Sequence, residues 1–406
     1  MKRARILLIK PVLPYPPDQG TKVVSMGLID ALAPAHDVTV LARLLSRDEE
    51  TQVRELEKHG ARVVTVTPKN RVSRVARAAF KIGYGARSLV TGRSMKSLYD
   101  CPGATVAAAR ALARERFDLV IVEYWQMYPL FGVFPRECTV LLTHDIDAHV
   151  YRARAQIEHG IATRVRARTT WRVEAREEKR AYERAGRVWA LTQADADAVA
   201  AIAARRAEVL PFGLAADAFV DEPAPRTSRE VLLVGAMQSA FNRDAIDHFV
   251  RDIHPALASI SGARFTVVGG ALPSEVASFA HEPGVEITGH ANDIRPFLAR
   301  AACLLVPLRF AGGIRIRILC AMAAGLPVVC SPVAVEGMGL DAGRHVLVAA
   351  SPAEYRAHVE RLLADPGFAQ GIARAARERV WKAFGPGARG PGLVAFVERA
   401  MGDRPS

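Results

Sequence analysis

Short runs of β-branched and aliphatic residues alternate with amphipathic helical stretches along almost the whole chain, and the alternation restarts partway. Such a chain is confined to parallel sheets flanked by helices, because each parallel neighbour needs a crossover long enough to hold a helix. In the first half the strand candidates are Arg5–Lys10, Asp37–Ala42, Arg62–Thr67, Asp118–Glu123, Thr139–Thr143 and Arg187–Thr192. The polar, proline-rich stretch Asp221–Ser228 then reads as a linker. A second series follows it: Glu230–Gly235, Arg264–Gly269, Val285–Thr288, Cys303–Pro307, Pro327–Cys330 and His345–Val348. The expectation is an α/β protein of two doubly wound, Rossmann-like domains, 1–215 and 216–385. A C-terminal helix at 386–406 is expected to pack back on the first domain.

With 406 residues, half of them apolar, each domain can bury a sizeable core. The apolar run Ile6 to Ile9 is too short for a secretory segment, and no stretch approaches the roughly 18 apolar residues of a spanning helix. A soluble, cytoplasmic protein is expected. Five cysteines, odd in number and without CxxC spacing, argue for reduced thiols rather than a disulfide framework or a zinc site.

The net charge of +13 favours an anionic partner. Between Lys69 and Asp100 eight Lys/Arg stand against one acid, and this segment is the better candidate for contact with an anionic membrane. Between Tyr151 and Arg187 the arginines are interleaved with Glu158, Glu174, Glu177, Glu178 and Glu183, which reads as a solvated helix carrying i,i+4 pairs. No aromatic-rich reader motif accompanies the charge, so nucleic acid is not expected.

In doubly wound sheets ligands bind beyond the carboxyl ends of the strands, which directs attention to glycine turns there. Gly20 opens a helix after the first strand and is either an anion seat or a plain turn. Gly235 and Gly269-Gly270 end two strands of the second series. The most informative turn is Gly312-Gly313-Ile314-Arg315-Ile316-Arg317-Ile318-Leu319-Cys320. If a helix starts near Gly313, then Gly313, Arg317, Cys320 and Ala324 share one side, and Arg315 lies about 140° from Cys320. A guanidinium beside a helix start suits a diphosphate; the alternative is a surface arginine on an amphipathic helix.

These pieces carry a resemblance. GVEITGHANDIRPFLARAACLLVPL, GGIRIRILCAMAAGLPVV and VAVEGMGLDAGRHVLVA are similar to the donor-binding half of the retaining glycosyltransferases of family 4, the group 1 glycosyltransferases, which have the GT-B fold. VLLVGAMQSAFNRDAIDHF, VLPFGLAADAF and the N-terminal PYPPDQGTKVVSMGLIDALA fit as well. The resemblance implies a nucleotide sugar between two domains that face a cleft, with no metal and no separate cofactor. It implies a diphosphate held by Arg317, Arg315, Gly313 and the turns at Gly20 and Gly235. An exopolysaccharide-associated branch, whose turn reads roughly Gly-Thr-Arg-Leu-Lys-Ile-Leu-Glu, looks closest, and its recurrent Glu-Gly matches Glu336 as a donor contact. Two glutamates usual in the family fall here on Gly312 and Cys320, and a thiol cannot take two ribose hydroxyls as a carboxylate does.

His144, in Thr143-His144-Asp145-Ile146-Asp147, follows a strand. Three readings compete: a metal site with the Asp-x-Asp, a cleft histidine near the reactive end of the sugar, and a histidine closing a strand end. The second is favoured. The expected activity is transfer of a sugar, with retention, from a nucleotide diphosphate to a hydroxyl of a glycan, lipid-linked or small-molecule acceptor. A non-catalytic binding protein of this fold and a nucleotide-sugar epimerase remain as alternatives.

Overall fold

A computed structural model describes residues 3–46, 49–67, 91, 93–157, 160–223, 226–237, 239–270, 272–291, 293–389 and 391–402. Most of the basic Lys69–Asp100 segment lies outside the described residues. The chain forms two units, one of Met1–Pro17, Thr21–Phe212 and Gly390–Ser406, the other of Asp18–Gly20 and Gly213–Arg389.

The first unit is built on a seven-stranded sheet of β1 (Arg5–Lys10), β2 (Asp37–Arg43), β3 (Arg62–Val66), β4 (Leu119–Glu123), β5 (Thr139–Leu142), β6 (Arg187–Ala190) and β7 (Glu208–Val209). Its order is β3-β2-β1-β4-β5-β6-β7 and every pairing is parallel. β4 is buried along its whole length, as a parallel strand covered on both faces must be, and this is why it reads as a continuous apolar run. The C-terminal helix Pro391–Gly402 belongs to this unit, where Phe396 meets Trp189 edge-on with centroids 5.1 Å apart.

The second unit carries β8 (Glu230–Val234), β9 (Arg264–Val268), β10 (Val285–Gly289), β11 (Cys303–Val306), β12 (Val328–Cys330) and β13 (Leu347–Val348) in the order β10-β9-β8-β11-β12-β13, again all parallel. One face of its core centres on Phe249, which is fully buried against Phe265 and Phe279; its truncation to alanine costs about 3–5 kcal/mol. The helix Pro352–Ala364 starts with a capping box in which the Ser351 hydroxyl takes the Glu354 N–H and the Glu354 side chain takes the Ser351 N–H.

Two sequence expectations are corrected here. Asp221–Ser228 is not a linker: the chain passes between units at Phe212–Gly213, and the stretch lies within the second unit. Arg226 ties it there by donating to the carbonyls of Leu298, Ala301 and Ala324 at 2.9, 2.6 and 3.0 Å. The helix after Gly313 begins at Ile316, because Gly313 takes φ +58° and Arg315, at φ −84° and ψ 78°, is not helical.

Candidate functional site

In both sheets the strand order reverses beside the first strand, between β1 and β4 and between β8 and β11. These are the switch points at which crossovers leave to opposite sides and open a crevice at the carboxyl edge. Each holds a cluster of charged side chains.

In the first unit, Lys10 ends β1, Glu123 ends β4 and His144 follows β5. Glu123 Oε2 lies 2.5 Å from Lys10 Nζ, 2.7 Å from His144 Nε2 and 2.9 Å from Ser25 Oγ. Lys10 and Glu123 are fully buried and His144 is 2 % exposed. Burial alone would raise the Glu123 carboxyl, but the Lys10 charge and the bonds from His144 and Lys10 outweigh it and hold the group at about 2. Burial lowers the His144 imidazole against the pull of Glu123, which keeps the ring neutral at physiological pH. A carboxylate only accepts, so the neutral ring carries its proton on Nε2. Nδ1 is left as a bare acceptor with no partner among the described residues.

Tyr124 packs its ring 4.7 Å from that of His144 and stands at φ +73°, a conformation costly for an aromatic residue. The sequence reading singled out His144 and did not name Glu123 or Lys10, which the structure brings to it. The only signal for them was a charged residue closing each of two apolar runs, Ile6–Ile9 and Leu119–Val122.

The Asp-x-Asp reading loses one of its carboxylates, because Asp147 accepts from Trp125 Nε1 at 2.7 Å and from Lys96 Nζ. Glu178, fully buried, accepts the backbone N–H groups of Asp147 and Ala148 at 2.9 and 2.6 Å. Burial raises its carboxyl, and that of Glu174, to about 8.

In the second unit, Gly235 follows β8. A Cβ on it would stand 2.8 Å from Asn242 Cγ and 2.9 Å from Arg317 Nη1, so the glycine makes room for the guanidinium. Arg317 donates from Nη1 to the Val234 carbonyl at 2.5 Å and from Nη2 to Asn242 Oδ1 at 2.7 Å. It forms no ion pair among the described residues. Burial, with the neighbouring Arg315 charge, lowers it to about 10, still protonated at neutral pH.

Arg317 and Cys320 are both partly exposed, one helical turn apart. Arg315 is buried and differs in kind. It donates to the Ala334 carbonyl at 2.8 Å and to those of Gly313 and Glu336, so it ties the turn to the segment after β12. The Glu336 side chain is exposed and its carbonyl receives Arg315. Gly20 is the first residue of the helix Gly20–Leu32 and groups with the second unit.

A cavity of ≈ 640 Å³ lined by Glu230, Arg264 and Arg300 lies at the opposite, amino edge of this sheet, away from the switch point. Among the described residues no group of three or more His, Cys, Asp or Glu is gathered for a metal ion.

Two family models match the chain. Residues 19–214 match the glycosyl transferase 4-like domain, and residues 228–365 match glycosyl transferases group 1. A search of curated protein sequences returned no match. Among solved structures, sucrose-phosphate synthase from Thermosynechococcus elongatus is similar at 19% identity and a TM-score of 0.76, over 98% of this chain and 100% of that one. HepE of Anabaena, solved in complex with UDP and glucose, is similar at 15% identity and a TM-score of 0.68, over 98% and 100%. WaaG, a glycosyltransferase involved in lipopolysaccharide biosynthesis, is similar at 18% identity and a TM-score of 0.63, over 98% and 99%.

Proposed function

We propose, from the premise that the chain belongs to the GT-B glycosyltransferases, that it transfers a sugar from a nucleotide diphosphate to an acceptor hydroxyl with retention at the anomeric carbon. The observation that carries this reading is Arg317. It is a partly exposed arginine at the switch point of the second unit, its guanidinium anchored by two neutral acceptors and facing no carboxylate among the described residues. A cation fixed in this way and lacking a counter-ion is prepared for an anionic ligand, and its planar fork suits a diphosphate.

As the sugar leaves, negative charge grows on the diphosphate. A guanidinium already held in place stabilises that charge without reorganising, and needs no metal to do so. Arg315 supports the turn from beneath. His144, whose buried Nδ1 has no partner among the described residues, is assigned to the reactive end of the sugar on resemblance. Glu336 and Gly20 are assigned to the donor on resemblance. The acceptor is expected to be a glycan, a lipid-linked molecule or a small molecule, in the synthesis of an exopolysaccharide or another glycoconjugate. Because HepE was solved with UDP-glucose, a uridine diphosphate sugar is the first donor to test.

The test is a thermal-shift and calorimetric panel of UDP, GDP, dTDP, ADP and CMP on the wild type and on Arg317→Ala. Stabilisation by one diphosphate that disappears in the variant supports the reading. Silence across the panel overturns it and favours a second reading, a non-catalytic binding protein, which is motivated by Cys320 standing where the family usually has a glutamate.

A further inference from the structure

The two faces of the second unit's sheet differ at its amino edge. One face carries Val231, Phe265 and Val267 into the core, as expected of a parallel sheet. On the other, the alternation of side chains along β8, β9 and β10 brings up Glu230, Arg264, Thr266 and Glu286. Glu230 stands level with Arg264, and Thr266 with Glu286. Glu230 is 7 % exposed and Thr266 2 % exposed. Polar groups drawn this far in are costly unless something meets them, and here they line the cavity of ≈ 640 Å³.

Arg300, the last residue of the helix Arg295–Arg300, donates to Glu230 Oε1 and to Glu286 Oε2, each at 3.0 Å. It bridges the two carboxylates, and each keeps acceptor capacity that one guanidinium does not use. Arg264 is exposed, lines the same cavity and forms no ion pair among the described residues. The Ser228 hydroxyl accepts the Glu230 N–H at 3.1 Å, which leaves its own proton to donate, and Thr227 adds a second hydroxyl. This rim is fixed on both sides, by Arg226 on the carbonyls already described and by Arg229 Nε on the Ser261 carbonyl at 2.9 Å.

We infer that this cavity is a second ligand site of the chain and takes an anionic sugar, a hexose carrying one phosphate or carboxylate group. The charged group sits on Arg264, and the hydroxyls lie between the two carboxylates and the Arg300 fork. The lining decides among ligands. A bare inorganic anion gains Arg264 but faces Glu230 and Glu286. A cation has to compete with Arg300 for both carboxylates. An apolar molecule meets one aliphatic side chain, Val285. The volume lies within the range of small-molecule pockets, about 300–1,000 Å³. The inference stands apart from the transferase reading, because none of these residues belongs to either switch-point cluster.

The test is calorimetric titration of the full chain with glucose 6-phosphate, glucuronate, glucose and inorganic phosphate. Saturable binding of glucose 6-phosphate or glucuronate is expected, about tenfold or more tighter than that of glucose or phosphate. The two anionic probes tell which charged group the cavity takes. Affinity should fall about tenfold or more in Arg264→Gln, the scale of one charged hydrogen bond, and about threefold or more in Glu286→Gln. Both side chains are exposed, so unchanged circular dichroism and melting are expected and serve as the folding control. Binding should persist in Arg317→Ala, whose site lies at the other edge of the sheet. Binding of neither anionic probe, equal binding of glucose or of inorganic phosphate, or full binding by Arg264→Gln overturns the inference. So does binding that is lost in Arg317→Ala and kept in Arg264→Gln, which would place the sugar at the switch point.

Discussion

Glu123 and Lys10, 113 residues apart in the chain, meet at the switch point of the first sheet with Oε2 2.5 Å from Nζ, both fully buried. Neither group can be removed alone without leaving the other as a buried, uncompensated charge. Glu123→Gln is therefore expected to destabilise the protein by about 3–5 kcal/mol in chemical denaturation, while Lys10→Met/Glu123→Gln recovers part of that loss. A cycle in which the two single losses simply add would refute the coupling. Glu123 is held at about 2, below its ordinary 4.5, so its stabilising contribution is complete above pH 4.5 and declines as pH falls towards 2.

The buried glutamates of the helix Ile161–Arg184 run the opposite way. Burial raises Glu174 to about 8, so the folded protein holds its proton from pH 4.5 up to that value while the unfolded chain does not. This stabilising contribution is complete below pH 4.5 and is lost as pH rises towards 8, at about 1.4 kcal/mol per pH unit for each such group. Glu174→Gln, which cannot ionise, should match the wild type near pH 4.5 and exceed it in stability at pH 8 to 9. Denaturation curves at the two pH values check this, and an equal difference at both would exclude it.

Gly235 and Arg317 are expected to be coupled in nucleotide binding. The methyl group of Gly235→Ala would lie 2.9 Å from Arg317 Nη1 and displace the guanidinium from the Val234 carbonyl. Calorimetry should show a loss of about tenfold in affinity for the nucleoside diphosphate, comparable to loss of one charged hydrogen bond. In an Arg317→Ala background the same alanine should cost almost nothing. A full further loss in that background would mean that Gly235 acts on the ligand directly.

The strands were legible because parallel strands buried on both faces are written as unbroken apolar runs, and β1, β4 and β8 fall where those runs do. β7 was missed because its two residues, Glu208 and Val209, are exposed and too short to show a period. The two arginines of the glycine turn were visible as a pair, yet the difference between them was not. Arg315 is buried on carbonyls of Ala334 and Glu336, which join the turn only in the folded unit, whereas Arg317 keeps a partly exposed position. The same limit applied to Glu174, Glu177 and Glu178. Their spacing permits pairs with surface arginines, and only the packing of neighbouring elements shows that they face inward. Asp221–Ser228 had the composition of a linker, but Arg226 met five helix-end and turn carbonyls that no local pattern announces.

Cys320 gives the sharpest test of how the site departs from its relatives. It is only partly exposed on the helix Ile316–Ala323, three residues after Arg317, where the resemblance implies a glutamate that accepts both ribose hydroxyls. Burial pushes its thiol up to about 12, so it offers no anionic acceptor at neutral pH. The wild type should therefore bind a nucleoside diphosphate and its 2′-deoxy analogue with affinities within a factor of about 3, the scale of a weak or absent hydrogen bond. Cys320→Glu should restore discrimination, favouring the ribonucleotide by about tenfold, because the carboxylate is left with an unmet acceptor when one hydroxyl is missing. Paired calorimetric titrations of the two nucleotides on the two proteins measure this. Strong discrimination already present in the wild type would show that another group reads the ribose and that Cys320 is not the vacated position.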